Sequence, residues 1–134
     1  MRTRLITWIL SIAVTVFAAS GAMAAPTLPA QTSSESGVTI SVTPRNLPAG
    51  SWEFDVAFNT HSQELTDDLA KTAVLVSDGR GSHTPIKWQG DPPGGHHRKG
   101  VLQFKAVSPT PASIELQIKR SGESAPRSFR WQLK

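Results

Sequence analysis

The amino-acid sequence predicts an all-β fold, a single immunoglobulin-like antiparallel β-sandwich of about seven strands that follows a cleaved signal peptide. Apolar residues recur with period two in residues 38–42 and 52–59, which is the pattern of strands that bury one face and expose the other. Turn-forming residues separate such segments at intervals of about 8 to 20 residues, as in all-β domains. A small closed barrel is the main alternative architecture.

Residues 1–24 are typical of a secretory signal peptide. Arg2 and Arg4 precede an almost wholly apolar stretch over 5–19, and Ala22-Met23-Ala24 has the small residues that signal peptidase recognises. Because the apolar stretch has about 15 residues and a spanning helix needs about 20, cleavage is favoured over an uncleaved anchor. We therefore expect a mature chain of about 110 residues, the size of one domain, in the periplasm or secreted from the cell.

Residues 25–36 are small, polar and proline-bearing, and we interpret them as a flexible lead-in to a β-sandwich domain over 37–134. The continuous apolar run over 73–76 predicts a central strand that is covered on both sides. Thr66 is expected to cap one or two helical turns that reach Lys71. The other expected strands have alternating apolar faces and cover residues 38–42, 52–59, 83–88, 102–106, 114–118 and 129–133.

The composition limits the classes of partner. The chain carries 14 Lys and Arg against 10 Asp and Glu, a formal net charge of +4 at pH 7. Loss of Arg2 and Arg4 with the signal peptide leaves about +2, which is too small and too evenly spread for a nucleic-acid or membrane-surface footprint. The chain has no cysteine, so we expect neither a disulfide nor a lipoprotein anchor. The expected partners include no nucleic acid and no stable membrane insertion after cleavage.

Histidine is the best chemical signal in the sequence. His96 and His97 are adjacent in a proline- and glycine-rich loop, and His61 follows the strongest predicted strand. Neutral imidazole is the commonest protein ligand of transition metals, so we predict a Cu(II) or Zn(II) site built from His61 with His96 or His97. The alternative is that these histidines are solvated or hold the loop by hydrogen bonds.

Other side chains are candidate supporting groups. Asp67 and Asp68 are able to supply an oxygen ligand or to orient an imidazole, although carboxylates there also suit the start of a short helix. His83 is a further candidate ligand, and Trp88, just before the histidine loop, is a candidate wall of the site. Both methionines lie in the expected signal peptide, so the mature chain has no thioether ligand for Cu(I).

Catalysis is not expected. The sequence contains no Gly-x-Ser-x-Gly, no His-Glu-x-x-His and no glycine-rich phosphate loop. Ser62, His96 and Asp68 can be combined on paper into a triad, but a serine-rich chain commonly allows that. The second function class is a metal-free periplasmic adaptor or structural interaction module, whose loops or strand edges contact an envelope protein.

Two blocks of sequence carry a resemblance to known proteins. The segments Phe58-Asn59-Thr60-His61-Ser62 to Asp68-Leu69 and Gly94-Gly95-His96-His97-Arg98 to Leu102-Gln103-Phe104 resemble paired blocks in a family of uncharacterised small exported prokaryotic β-sandwich proteins. With Phe129-Arg130-Trp131 the likeness covers nearly all of the mature chain, and it implies no activity. In architecture the chain is also similar to small periplasmic copper-carrier sandwiches, but it lacks their methionine ligands and a histidine at the mature N-terminus.

Overall fold

The computed structural model describes residues 28–134, so the expected signal peptide over 1–24 lies outside the described residues. Within them the elements are, in chain order, β1 (Gln31–Glu35), β2 (Val38–Arg45), β3 (Trp52–Thr60), α1 (Leu69–Thr72), β4 (Ala73–Ser77), β5 (Gly81–His83), β6 (Lys87–Gly90), β7 (His97–Phe104), β8 (Ser113–Ile118) and β9 (Arg127–Gln132). They form a five-stranded sheet, β1-β2-β3-β7-β6, and a four-stranded sheet, β5-β4-β8-β9, both antiparallel. The predicted all-β sandwich is confirmed.

The core lies between the two sheets and is formed by the alternating apolar side chains. Every second residue of β3 and of β9 is buried, including Trp52 and Trp131. The Phe54 ring packs against Phe104 and Trp131, with ring centroids 5.7 Å apart in both pairs. Each fully buried side chain of this size stabilises the fold by about 1.5–3 kcal/mol, so the core alone can support a domain without disulfides.

Strand β1 lies within residues 25–36, where the sequence analysis placed a flexible lead-in. Its sequence QTSSE has no apolar residue, so hydrophobic periodicity does not reveal it. It pairs with β2 through the backbone, and Arg127 donates to the carbonyls of Ser33 and Glu35 at 3.0 and 2.8 Å. The lead-in interpretation is therefore wrong for residues 31–35.

Residues 83–88 do not form one strand, as the sequence analysis expected. Strand β5 ends at His83 on the edge of the four-stranded sheet, whereas β6 begins at Lys87 on the edge of the five-stranded sheet. Pro85 lies in the crossover, where its missing N–H breaks no ladder. Strand β4 is not covered on both sides either, because its residues alternate between buried and partly exposed.

The short helix starts later than expected. It spans Leu69–Thr72, its N-cap residue is Asp68, and no side chain caps it, so Thr66 is not the cap. No helix in residues 28–134 combines the length and the apolar character that crossing a membrane requires.

Four loops meet at one end of the sandwich, which we call the loop end. The register pairs the last residue of β3 with the first of β2, and the next-to-last residue of β3 with the first of β7. It also pairs the last residue of β8 with the first residues of β4 and β9. The loop end therefore collects residues 36–37, 61–68, 91–96 and 119–126, which include His61 and His96, and His97 adjoins it as the first residue of β7.

Candidate functional site

The two loops that carry histidine pair with each other at the loop end. The backbone N–H of Thr60 donates to His96 O at 3.0 Å, and Leu65 N donates to Gly95 O at 3.0 Å. Gly94 N returns a hydrogen bond to Leu65 O at 2.7 Å. Gly94 and Gly95 have φ of 118° and 72°, a region that favours glycine. Backbone bonds therefore set the position of both loops independently of the histidine side chains.

His61 and His97 lie side by side in this arrangement. Their ring centroids are 6.5 Å apart, with the planes at 83°. His97 is the first residue of β7, opposite Asn59 on β3, and its Nδ1 lies 2.7 Å from Asn59 Oδ1. When Nδ1–H donates to that carbonyl oxygen, the lone pair of Nε2 is left for a ligand, which is the usual arrangement behind a metal-binding imidazole.

The other expected ligands lie elsewhere or have other partners. His83 is in the four-stranded sheet, where its Nε2 lies 3.1 Å from Ser77 Oγ. His96 is exposed on the loop, and Asp68 is exposed and 3.7 Å from Lys71 Nζ. Among residues 28–134 there is no group of three or more His, Cys, Asp or Glu able to hold a metal ion. The described residues thus bring together a histidine pair, with Asn59 beside it.

In the described part of the chain, no hydrogen bond links Ser62, His96 and Asp68, the residues that could be combined into a catalytic triad from the sequence. Ser62 Oγ is 3.5 Å from Thr60 Oγ1, and the Asp68 carboxylate pairs with Lys71. Ser62 instead helps to shape the turn, because its N–H donates to Thr60 Oγ1 at 3.2 Å. Ser62 thus contributes to the turn after β3, and Asp68 lies at the start of α1.

Asp67 is part of a buried ion network that sequence reasoning missed. Its carboxylate accepts two hydrogen bonds from the Arg120 guanidinium, at 2.9 and 3.3 Å, so both of its oxygens already have a cationic partner. Arg120 also pairs with Glu123 at 3.3 Å, and Glu123 pairs with Arg127 at 2.9 and 2.8 Å. The hydrogen bonds from Arg127 hold the pKa of the Glu123 carboxyl below its usual value, against the opposing effect of burial.

Arg98 is the residue that fastens the histidine loops to the sheet. It is 2% exposed, and its guanidinium donates to the carbonyls of Asp67 at 2.7 Å, Leu65 at 3.3 Å and Asp91 at 3.3 Å. It also lies over the Trp88 ring, 5.8 Å from the centroid. The Trp88 Nε1–H donates to Asp91 O at 3.0 Å. Trp88 thus supports Arg98 and the loop. The sequence signal that could have revealed the role of Arg98 is its position directly after His96 and His97.

The site therefore consists of the exposed imidazoles of His61 and His97, on loops that the buried Arg98 holds in place. Such a pair is able to bind a borderline metal ion or to form part of a contact surface. None of the protein-family models, curated proteins or solved structures that were compared with the chain matches it.

Proposed function

We propose that this protein is a small exported binding protein that binds a divalent transition-metal ion, Cu(II) or Zn(II), through His61 and His97 at the loop end. The observation that carries the proposal is the 6.5 Å approach of the two exposed rings, with Asn59 beside Nδ1 of His97. Export rests on the signal-peptide pattern of residues 1–24, and it implies a periplasmic or secreted location.

The distance between the rings is close to what a shared ion requires. Two imidazoles on one tetrahedral ion, each with a metal–nitrogen distance of about 2 Å, have ring centroids about 5 Å apart. A rotation of the exposed His61 side chain is expected to close the remaining gap, so that His97 keeps its hydrogen bond to Asn59 and the backbone-bonded loops stay in place. His96 adjoins His97 on the same loop and is the expected third ligand when its exposed side chain turns toward the ion.

The ligand chemistry favours Cu(II) or Zn(II) and predicts modest affinity. Imidazole nitrogen suits both ions, whereas Mg(II) prefers oxygen ligands. A site with two imidazoles in place binds weakly, because solvent or a third side chain has to complete the coordination shell. The proposed activity is binding, and no catalytic role is assigned to these residues.

A thermal melt of the chelator-stripped protein with Cu(II), Zn(II) or Mg(II) tests the proposal. An ion that binds only the native state, at a hundred times its Kd, adds about 2.7 kcal/mol to the free energy of unfolding. We expect Cu(II) or Zn(II) to raise the unfolding midpoint, Mg(II) to leave it unchanged, and His61→Ala and His97→Ala to remove the rise. His83→Ala is the matched control, since His83 lies in the other sheet, and it should keep the full rise.

Two results would contradict a metal site at this pair. One is the absence of any midpoint rise with Cu(II) and Zn(II). The other is a rise of equal size in all three alanine variants, which would place the ion elsewhere.

A metal-free adaptor or structural module is the second candidate function. It is favoured by the hydrogen bonds that already hold both histidine loops, including that between His97 and Asn59. In this case the histidines form part of the surface that meets an envelope protein. His97→Ala should then lower the free energy of unfolding in chelator by about 0.5–1.5 kcal/mol, the contribution of one hydrogen bond, and metal should change nothing.

A further inference from the structure

The outer face of the five-stranded sheet carries a shallow trough of about 430 Å³ that crosses strands β2, β3 and β7. We call it the cross-strand trough. Its polar lining residues are Ser41, Thr43, Asp55, Asp91 and Lys99, and its apolar side chains are Ala57 and Val101.

The strand register explains why this face is concave. Ser41 pairs with Ala57, and Ala57 pairs with Lys99, so these side chains form one row across the sheet. Ala57, in the middle of the row, has the shortest side chain of the three. The next row along the strands contains the longer pair Asp55 and Val101. A methyl group between longer neighbours leaves a hollow with an apolar floor.

Each carboxylate of the trough has a hydrogen-bond partner within the protein. Asp55 Oδ1 accepts a hydrogen bond from Arg45 Nη1 at 3.2 Å. Asp91 Oδ2 accepts the backbone N–H of Lys99 at 3.0 Å, and Asp91 N donates to Lys99 O at 3.0 Å. Acceptors that are already oriented lose little conformational entropy on binding, so they favour a ligand that donates several hydrogen bonds.

We propose that the cross-strand trough binds a neutral polyhydroxylated ligand of the size of a mono- or disaccharide. The two carboxylates accept hydrogen bonds from hydroxyl groups, and the Lys99 ammonium with the nearby Ser and Thr hydroxyls donates to ligand oxygens. The methyl groups of Ala57 and Val101 face the C–H surface of a sugar ring. The volume falls within the range of about 300–1,000 Å³ that is usual for small-ligand sites.

The balance of charge argues for a neutral ligand. Asp55 and Asp91 face one cation in the lining, Lys99, and Arg45 pairs with Asp55 from outside it, so the lining together with Arg45 has no net charge. An anionic ligand would meet two carboxylates, and a cationic one would meet two basic groups, in either case at a cost in desolvation. This site lies outside the proposed metal site and does not depend on it, because neither His61 nor His97 lines the trough.

An NMR titration of the full mature chain tests the inference. Backbone amide shifts of the ¹⁵N-labelled protein are recorded in chelator against cellobiose, maltose and N,N′-diacetylchitobiose. We expect at least one sugar to give saturable shifts at Ala57, Lys99 and Val101. His97→Ala should bind that sugar with unchanged affinity, which separates this result from the outcome of the metal experiment.

Two variants with similar added bulk decide whether the trough is the site. Ala57→Gln fills the floor with a polar chain and should weaken binding at least tenfold. Ser82→Gln adds a similar chain at an exposed position of β5 in the other sheet and should leave binding unchanged. Equal thermal midpoints of both variants and the parent exclude unfolding as the cause. The inference is overturned if none of the three sugars shifts the trough amides, or if Ala57→Gln binds as well as the parent.

Discussion

At the scale of the residue, this fold depends on buried arginine. Arg98, Arg120 and Arg127 are all buried, at 2, 5 and 2% exposure. The planar guanidinium presents five donors in a fixed fork, so one side chain can satisfy several carbonyls and carboxylates from different segments. Arg127 does this fully, since it bonds Glu123 and three carbonyls of the first two strands. Arginine here joins segments that are far apart in sequence.

Arg127→Met should destabilise the protein strongly. The substitution keeps apolar bulk but leaves the buried Glu123 carboxylate without its nearest cation, and such a loss costs about 3–5 kcal/mol. The measurement is the free energy of unfolding from urea titration at neutral pH. Arg130→Met is the matched control, because the Arg130 side chain is 74% exposed and its ion pair with Glu115 is worth about 0–1 kcal/mol. Equal losses in the two variants would contradict the role of Arg127 in joining Glu123 to the first two strands.

At the scale of the element, strands β6 and β7 approach closely where both carry glycine. Gly90 pairs with Gly100, and the Trp88 ring lies over the two. A Cβ on Gly100 would lie 2.6 Å from Gly90 Cα and 2.7 Å from Trp88 Cζ2. The missing side chains thus make room for the indole that supports Arg98. Glycine in these strands is a packing requirement, not a turn signal.

Gly100→Ala should therefore lower the free energy of unfolding by about 1–3 kcal/mol, the usual cost of overpacking. The clash involves backbone, so it cannot be relieved by moving the end of a flexible side chain. We expect a lower urea midpoint together with a change in Trp88 fluorescence, since the ring has to move. Gln89→Ala, at an exposed position of β6 next to Trp88, should alter neither quantity by comparison. A Gly100→Ala variant as stable as the parent would show that the strands separate freely here.

At the scale of the whole molecule, the ion network closes the loop end. Asp67 comes from the loop after β3, Arg120 and Glu123 from the loop after β8, and Arg127 from the start of β9. The same arginine holds β1, so the network connects both sheets with the N-terminal strand. Since the chain has no cysteine, these contacts join distant segments in the way that disulfides do in many small domains.

Acid should weaken the ion pair between Glu123 and Arg127, and with it the ion network, over a defined range of pH. The bonds from Arg127 lower the pKa of Glu123 in the folded state below its ordinary value of 4.5. The stabilisation is therefore complete above pH 4.5 and is lost as the pH falls through the lower folded value. Urea midpoints measured from pH 7 downward should show the difference between parent and Glu123→Gln shrinking below that point. Glu53→Gln, on the outer face of β3, is the control and should follow the parent. A difference that stays constant in acid would contradict the assignment.

The fold class and much of the core follow from local pattern. Alternation along β2, β3, β8 and β9 predicts which side chains are buried, because a strand exposes successive residues to opposite faces. The sequence marks His61 and the pair His96 and His97 as candidates for one site, whereas the pairing of β3 with β7 decides that His61 lies beside His97.

Tertiary structure alone decided the rest. Strand β1 has no apolar residue, and it is ordered by an arginine more than ninety positions away. Asp67 sits beside a possible helix start, yet its partner Arg120 is 53 positions further along the chain. The cross-strand trough depends on the register of three strands, which brings Ala57 between Ser41 and Lys99. Burial pattern is a local property of the sequence, whereas charge pairing and surface shape arise from segments that meet only in the folded chain.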